Sequence, residues 1–243
     1  MKQKPWTSWE NKTEQEEEAI KSLRAAKKII LNNIPKNKIL AIYVGGSFIR
    51  REMTQKSDVD TWTIVKDNKL LSKFEKLEKE YKEKYKPNLS LRAFSLWELK
   101  NNERYLKRKK PRANPGRFVK KIKNYFLIYG KPLNTKDFIV RSDEEDLKKL
   151  IKAFNKTFLP LYEKGKLRFS DILKQVFWLV ELEQKIKGKE VPYSWKKLVR
   201  SIENKNHIIH EALKFRVKRI KDEGKRKRFI VKLKKYLKSL EGK

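Results

Sequence analysis

Every strand signal in this 243-residue chain falls before residue 141, and that asymmetry limits the possible architectures more than any single motif does. Lys38–Val44, with the apolar run Ile39–Val44, reads as a buried strand ended by Gly45-Gly46-Ser47, and Asp58–Val65 and Leu89–Leu96 have strand character. Asn124–Tyr129 is a fourth strand candidate, closed by Gly130 and Pro132. Helical stretches lie between them. Thr13-Glu-Gln-Glu16 has the spacing of a capping box and opens an amphipathic helix to about Asn32, before Pro35. Phe48–Met53, Leu70–Tyr85 and Trp97–Lys107 are further predicted helices, and Pro111–Gly116 is a predicted loop. Strands alternating with helices predict a layered α/β sheet domain. After Arg141 the pattern becomes helical throughout: Ser142 and Glu145 cap a first helix, and four or five helices fill the rest. Their apolar stripes include Ile172, Val176, Leu179 and Leu182, then Phe229, Leu233, Tyr236 and Leu240. The expected organisation is a sheet domain over residues 1–140 and a helical domain over 141–243.

Charge narrows the partners. The chain has 64 Lys and Arg against 30 Asp and Glu, a net charge of +34, and both halves share the excess. Arg104–Lys123 has ten basic residues and no acid, and Lys214–Lys238 has thirteen against Asp222 and Glu223. Such surfaces suit phosphate-rich partners through counterion release, so RNA is an expected partner, with Arg108, Lys109, Lys110 and Arg112 as candidate contacts. A solvated lysine surface is the plainer explanation of the same residues. Cysteine is absent, which excludes disulfides, zinc ribbons and thiol nucleophiles. The apolar runs are far too short for a membrane span, and the first residues lack the apolar core of a secretory signal. A soluble, cytoplasmic protein is expected.

The chemistry concentrates in Val44-Gly-Gly-Ser47 and, ten residues later, Ser57-Asp58-Val-Asp60. Residues two apart on a strand share a face, so Asp58 and Asp60 present both carboxylates together. Such a pair suits Mg²⁺ (or Mn²⁺), which takes oxygen ligands and commonly shares them with substrate phosphates. The glycine turn permits close backbone approach, and a helix opening there aims N–H groups at phosphate oxygens. A phosphate cradle beside a metal-binding acid pair is the minimum apparatus for nucleotidyl transfer.

Gly45-Gly46-Ser47 followed by Asp58-Val59-Asp60 resembles the nucleotidyltransferase superfamily related to DNA polymerase beta, which includes minimal and aminoglycoside nucleotidyltransferases and CCA-adding enzymes. Leu127-Ile-Tyr-Gly-Lys-Pro-Leu133 is similar to a strand-and-turn segment of the same group, so the resemblance spans about residues 38–133. It implies an α+β fold, a mixed β-sheet with flanking helices, here followed by the all-helical domain. It implies that Asp58 and Asp60 are the catalytic and metal-binding acids. It implies also that Gly45, Gly46 and Ser47 contact a nucleoside triphosphate, ATP being the expected one. The family usually supplies a third carboxylate from a later strand, but Leu89–Leu96 contains no acid and has Arg92 on the inward face. Glu98 and Asp137 are the nearest alternatives. Thr61 replaces the usual apolar residue after the second acid. The expected activity is transfer of a nucleoside monophosphate to an acceptor hydroxyl, RNA or a tRNA end among the acceptors, in a cleft between the domains. The alternative is a catalytically degenerate member acting as an RNA-binding or antitoxin-like module.

Other signals are weaker. His207 and His210, followed by Glu211, have the spacing of ordinary helix histidines rather than of a complete metal site. Arg200 and His207 form an Arg-x6-His pair similar to the ribonuclease motif of the HEPN family, a match short enough to arise by chance. Trp62 shares a strand face with Asp60, which brings it to the border of the nucleotide site; the other tryptophans are expected in or beside the core.

Overall fold

A computed structural model describes residues 4–105, 114–136, 138–218 and 221–241. The chain divides into two compact units, Met1–Val140 and Arg141–Lys243.

In the first unit α1 (Glu14–Asn33) is opened by the reciprocal bonds of a Thr13–Glu16 capping box. It leads to β1 (Ile39–Val44), a single turn α2 (Gly46–Ile49), β2 (Val59–Val65), α3 (Leu70–Tyr81) and β3 (Leu89–Ser95). The helices α4 (Leu96–Asn101) and α5 (Pro115–Lys121) then precede β4 (Phe126–Gly130). The strand order is β3-β2-β1-β4, with β2 and β3 parallel and the other pairs antiparallel. The mixed sheet with flanking helices is the fold expected from the resemblance.

Alternation along the strands sorts the side chains into two cores. Ile42, Val44, Val59, Val65, Leu89 and Leu91 face α1 and α3, packing on Leu23, Ile30, Leu71 and Phe74. Ala41, Tyr43, Trp62, Ile64 and Phe94 form the other face with Leu99 of α4 and Phe118 and Val119 of α5. Both faces are therefore covered within this unit.

Local chemistry moves several predicted boundaries. The helix expected over Trp97–Lys107 ends at Asn101, because Asn102 turns left-handed at φ 53°. The helix expected to reach Tyr85 stops at Tyr81. The loop expected through Gly116 instead gives way to α5, since Asn114 accepts the Gly116 N–H as N-cap and Pro115 sits at the first helical position. The short helix predicted at Phe48–Met53 begins two residues earlier and is one turn long.

The second unit contains α6 (Asp143–Ala153), α7 (Leu159–Glu163), α8 (Phe169–Ile186), α9 (Trp195–Arg200), α10 (Ile208–Lys218) and α11 (Glu223–Glu241). That makes six α-helices among the described residues, the first capped by Ser142 and five more filling the rest. A π-helical turn, Phe154–Phe158, joins α6 to α7 just before Pro160. Phe154, Phe169, Phe177, Leu179, Phe215, Phe229 and Leu233 form its core. Within that core Glu183 is buried, accepting from Lys187 Nζ at 2.8 Å and from the Tyr236 hydroxyl, with His207 Nε2 at 3.5 Å. No helix is long and apolar enough to cross a membrane among the described residues.

Candidate active site

The site begins where β1 runs out. Gly45 is extended, and its N–H donates to the Asp60 carbonyl at 3.3 Å, tying the turn to β2. A side chain there would collide with Tyr125, whose Cδ1 lies 2.6 Å from the position a Cβ would take. Gly46 is constrained twice over. Its φ of +73° favours glycine, and a Cβ would fall 2.5 Å from Asp60 Oδ2. The glycine turn and the second acid are therefore in contact, although 13 positions separate Ser47 from Asp60. Ser47 is buried in the single turn α2.

The chain beyond α2 is anchored without help from any ligand. Arg51, left-handed at φ 53°, donates to both carboxylate oxygens of Glu16 at 2.9 and 3.0 Å and lies 5.0 Å from the Trp9 ring centroid. Burial works against the Glu16 charge, but bonds from Arg51 and the Thr13 backbone outweigh it and hold this carboxyl below its ordinary range. Arg50 and Glu52, both nearly enclosed, pair at 3.0 Å. Sequence reading missed this anchor. Its signal was the capping-box Glu16, whose carboxylate serves two purposes at once.

Asp60 lies near the start of β2, its side chain 18% exposed, and Asp58 immediately precedes the strand. Facing them from β3 is Arg92, whose Nη2 lies 3.4 Å from Asp60 Oδ1. The arginine is held on further sides. Its Nε donates to Ser90 Oγ at 2.8 Å, and that hydroxyl in turn donates to Glu78 Oε1 at 3.4 Å. Its guanidinium lies 5.0 Å from the Trp62 ring centroid, and Trp62 stacks on Phe94 at 5.3 Å. Burial disfavours the guanidinium charge, but Asp60, Asp58 and Glu78 together more than offset it and raise its pKa. Both acids of the pair thus act on one arginine.

Other predicted residues lie elsewhere or serve other ends. Glu98 is buried in a capping box: its Oε2 accepts from Ser95 N at 3.2 Å and its Oε1 from Tyr105 N at 3.0 Å, with Arg104 at 3.7 Å. It is a structural acid rather than a third member of the Asp pair. Asp137, Arg108, Lys109, Lys110 and Arg112 lie outside the described residues. Trp62 is buried, forming the floor under Arg92 rather than an open stacking platform. Thr61, fully buried on the opposite face, donates to the Ser90 carbonyl at 3.2 Å. His210 Nε2 meets the Ile202 carbonyl at 2.9 Å and His207 faces Glu183, so the two histidines have separate partners, and Arg200 is exposed.

Asp60 on β2, with Asp58 two residues before it and just outside the strand, offers donors of the kind that Mg²⁺ takes, since that ion is commonly held by one or two carboxylates and completed by water and phosphate oxygens. Among the described residues no group of three acids or histidines is able to hold a metal ion.

Comparison with known proteins places this geometry. Residues 23–129 match the model of the nucleotidyltransferase domain. No curated protein matches the chain. Among solved structures it is similar to spectinomycin adenyltransferase AAD(9) from Enterococcus faecialis, determined with ATP and spectinomycin. That likeness has 13% identity and a TM-score of 0.44, and it covers 80% of this chain and 87% of the other. The matched segment runs from α1 to β4 and contains the glycine turn, both acids and Arg92: residues 23–129 are identified as a nucleotidyltransferase domain.

Proposed function

We propose that this protein transfers a nucleoside monophosphate from ATP to a hydroxyl group of an RNA, releasing pyrophosphate. The observation that carries the reading is the contact between Gly46 and the Asp60 carboxylate, which brings the glycine turn against the second acid of the pair. In the proposed reaction the acceptor oxygen bonds to the α-phosphorus as the bond from that phosphorus to the pyrophosphate oxygen breaks. Asp58 and Asp60 would hold Mg²⁺ or Mn²⁺, which supplies charge neutralisation and polarisation of the α-phosphate. Gly46, lacking a side chain, lets the Asp60 carboxylate lie against the turn, and the backbone of the turn with Ser47 would border the triphosphate. Arg92 keeps a fixed positive charge next to the same carboxylates. With no third acid joining the pair among the described residues, the acceptor proton is assigned to solvent.

RNA is preferred as acceptor because of the +34 charge, which favours polyanions and disfavours cationic small molecules. Such a reaction belongs in the cytoplasm, where ATP and RNA are both present. The test is transfer of label from α-³²P-ATP to total cellular RNA, comparing the wild type with Asp58→Ala/Asp60→Ala. Label on RNA only with the intact pair is the expected result. Salt-sensitive RNA binding without label, equal in both proteins, would instead identify a catalytically silent RNA-binding module.

A further inference from the structure

The position opposite the acid pair holds an arginine, and its surroundings bear on the number of cations the site takes. Arg92 is in register with Trp62 on the neighbouring parallel strand, two residues beyond the Asp60–Ser90 pair. Side chains two apart on a strand share a face, so Arg92, Asp60 and Trp62 converge on one surface. The guanidinium is fixed by the Ser90 hydroxyl at 2.8 Å, the Trp62 ring at 5.0 Å and Asp60 at 3.4 Å. Ser90 is oriented in turn by Glu78. This is a built position, with a partner for the Nε, a partner for one terminal nitrogen and an aromatic floor.

Sites that place two metal ions about 3.5–4 Å apart do so with enough anionic oxygen to hold two dications close together. Here Asp60 already has beside it one unit of positive charge that cannot dissociate, since a guanidinium stays protonated at any working pH. A first divalent ion still finds oxygen donors in Asp58, Asp60 and phosphate. A second would have to sit against the guanidinium and compete with it for Asp60.

We propose that Arg92 stands in for a second metal ion, so that this site works with one divalent cation per chain, the arginine being the second positive centre on Asp60. The inference rests on the nucleotidyltransferase reading above and deepens it. Arg92 acts through Asp60 and is a positioning residue. Its expected signature is the count and spacing of bound ions, a quantity that a purely structural role for Arg92 would leave alone.

The experiment is electron paramagnetic resonance of Mn²⁺ bound to the full chain with α,β-methylene-ATP, an analogue that cannot release pyrophosphate. Asp58→Ala/Asp60→Ala serves as the blank for ion held by nucleotide alone. The wild type is expected to bind one Mn²⁺ per chain with the spectrum of an isolated ion. Arg92→Glu, which restores a third carboxylate, is expected to bind two with the spectrum of a coupled pair, and Arg92→Lys to remain at one. Two coupled ions in the wild type would overturn the proposal, as would a folded Arg92→Glu that stays at one. If Arg92→Glu does not fold, the wild-type count and Arg92→Lys still decide. Label transfer on the same preparations separates the two levels. Transfer with no protein-held Mn²⁺ defeats the one-ion proposal alone, and absence of both defeats the nucleotidyltransferase reading as well.

Discussion

Gly46 combines a left-handed backbone with a neighbour where a methyl group would have to go. Gly46→Ala should therefore cost about 1–2 kcal/mol from backbone conformation alone. It should also push the Asp60 carboxylate away from the turn, since the new Cβ would lie 2.5 Å from Oδ2. Urea unfolding should register the first effect. Label transfer should fall at least about tenfold, more than the stability loss accounts for, because sub-ångström placement of reacting groups governs such rates. Gly45→Ala is expected to act differently: its obstacle is the Tyr125 ring, so Gly45→Ala combined with Tyr125→Ala should recover part of the lost stability. At this scale the glycine turn at the end of β1 and the position of Asp60 on β2 were legible from spacing alone, because strand alternation and turn chemistry are local rules. The Gly46–Asp60 contact and the Ser90–Arg92 bond were not legible. They depend on strand register and on which strands neighbour one another, and no local rule supplies either.

Between elements, the buried Glu183 of α8 is joined to Tyr236 of α11 and to His207, just before α10. Burial alone would raise its pKa, but bonds from His207, Lys187 and Tyr236 outweigh burial and draw it down to about 2 from 4.5. The sign follows from linkage: a carboxyl that binds its proton more weakly in the folded state stabilises the fold above its unfolded pKa. That contribution is lost as pH falls from about 4.5 towards 2. Acid unfolding followed by circular dichroism should therefore be steep in that window, and Glu183→Gln should flatten it. Tyr236→Phe removes one bond to a buried carboxylate and should cost roughly 1–3 kcal/mol at neutral pH. Burial and the facing carboxylate raise the Tyr236 pKa, so the fold should also weaken above pH 10, where the unfolded tyrosine ionises. Helix starts were readable from capping residues at Thr13 and Ser142, whereas the capping box of Ser95 and Glu98 was hidden in the end of a strand pattern. The start at Asn114 escaped because an Asn-Pro-Gly run has the composition of a loop. The Glu183 cluster gave no sequence signal, since its members come from three separated segments.

For the whole molecule, a net charge of +34 predicts that RNA affinity falls linearly on a logarithmic salt axis. Six to ten phosphate contacts would give a loss of about 10³ to 10⁵ between 50 and 200 mM salt. Filter binding should show the same slope for Asp58→Ala/Asp60→Ala, because those acids contribute nothing to counterion release. The position of β3 has a different consequence. It lies at one end of the strand order, so one side of its backbone has no sheet neighbour among the described residues. Exposed strand borders invite accretion of further chains, and proteins commonly deter it with a charge set into the border strand. Here the border strand is buried at every residue except the half-buried Arg92, so neutral substitutions at Arg92, the one position of β3 open to solvent, should turn the solution cloudy at salt concentrations the wild type tolerates.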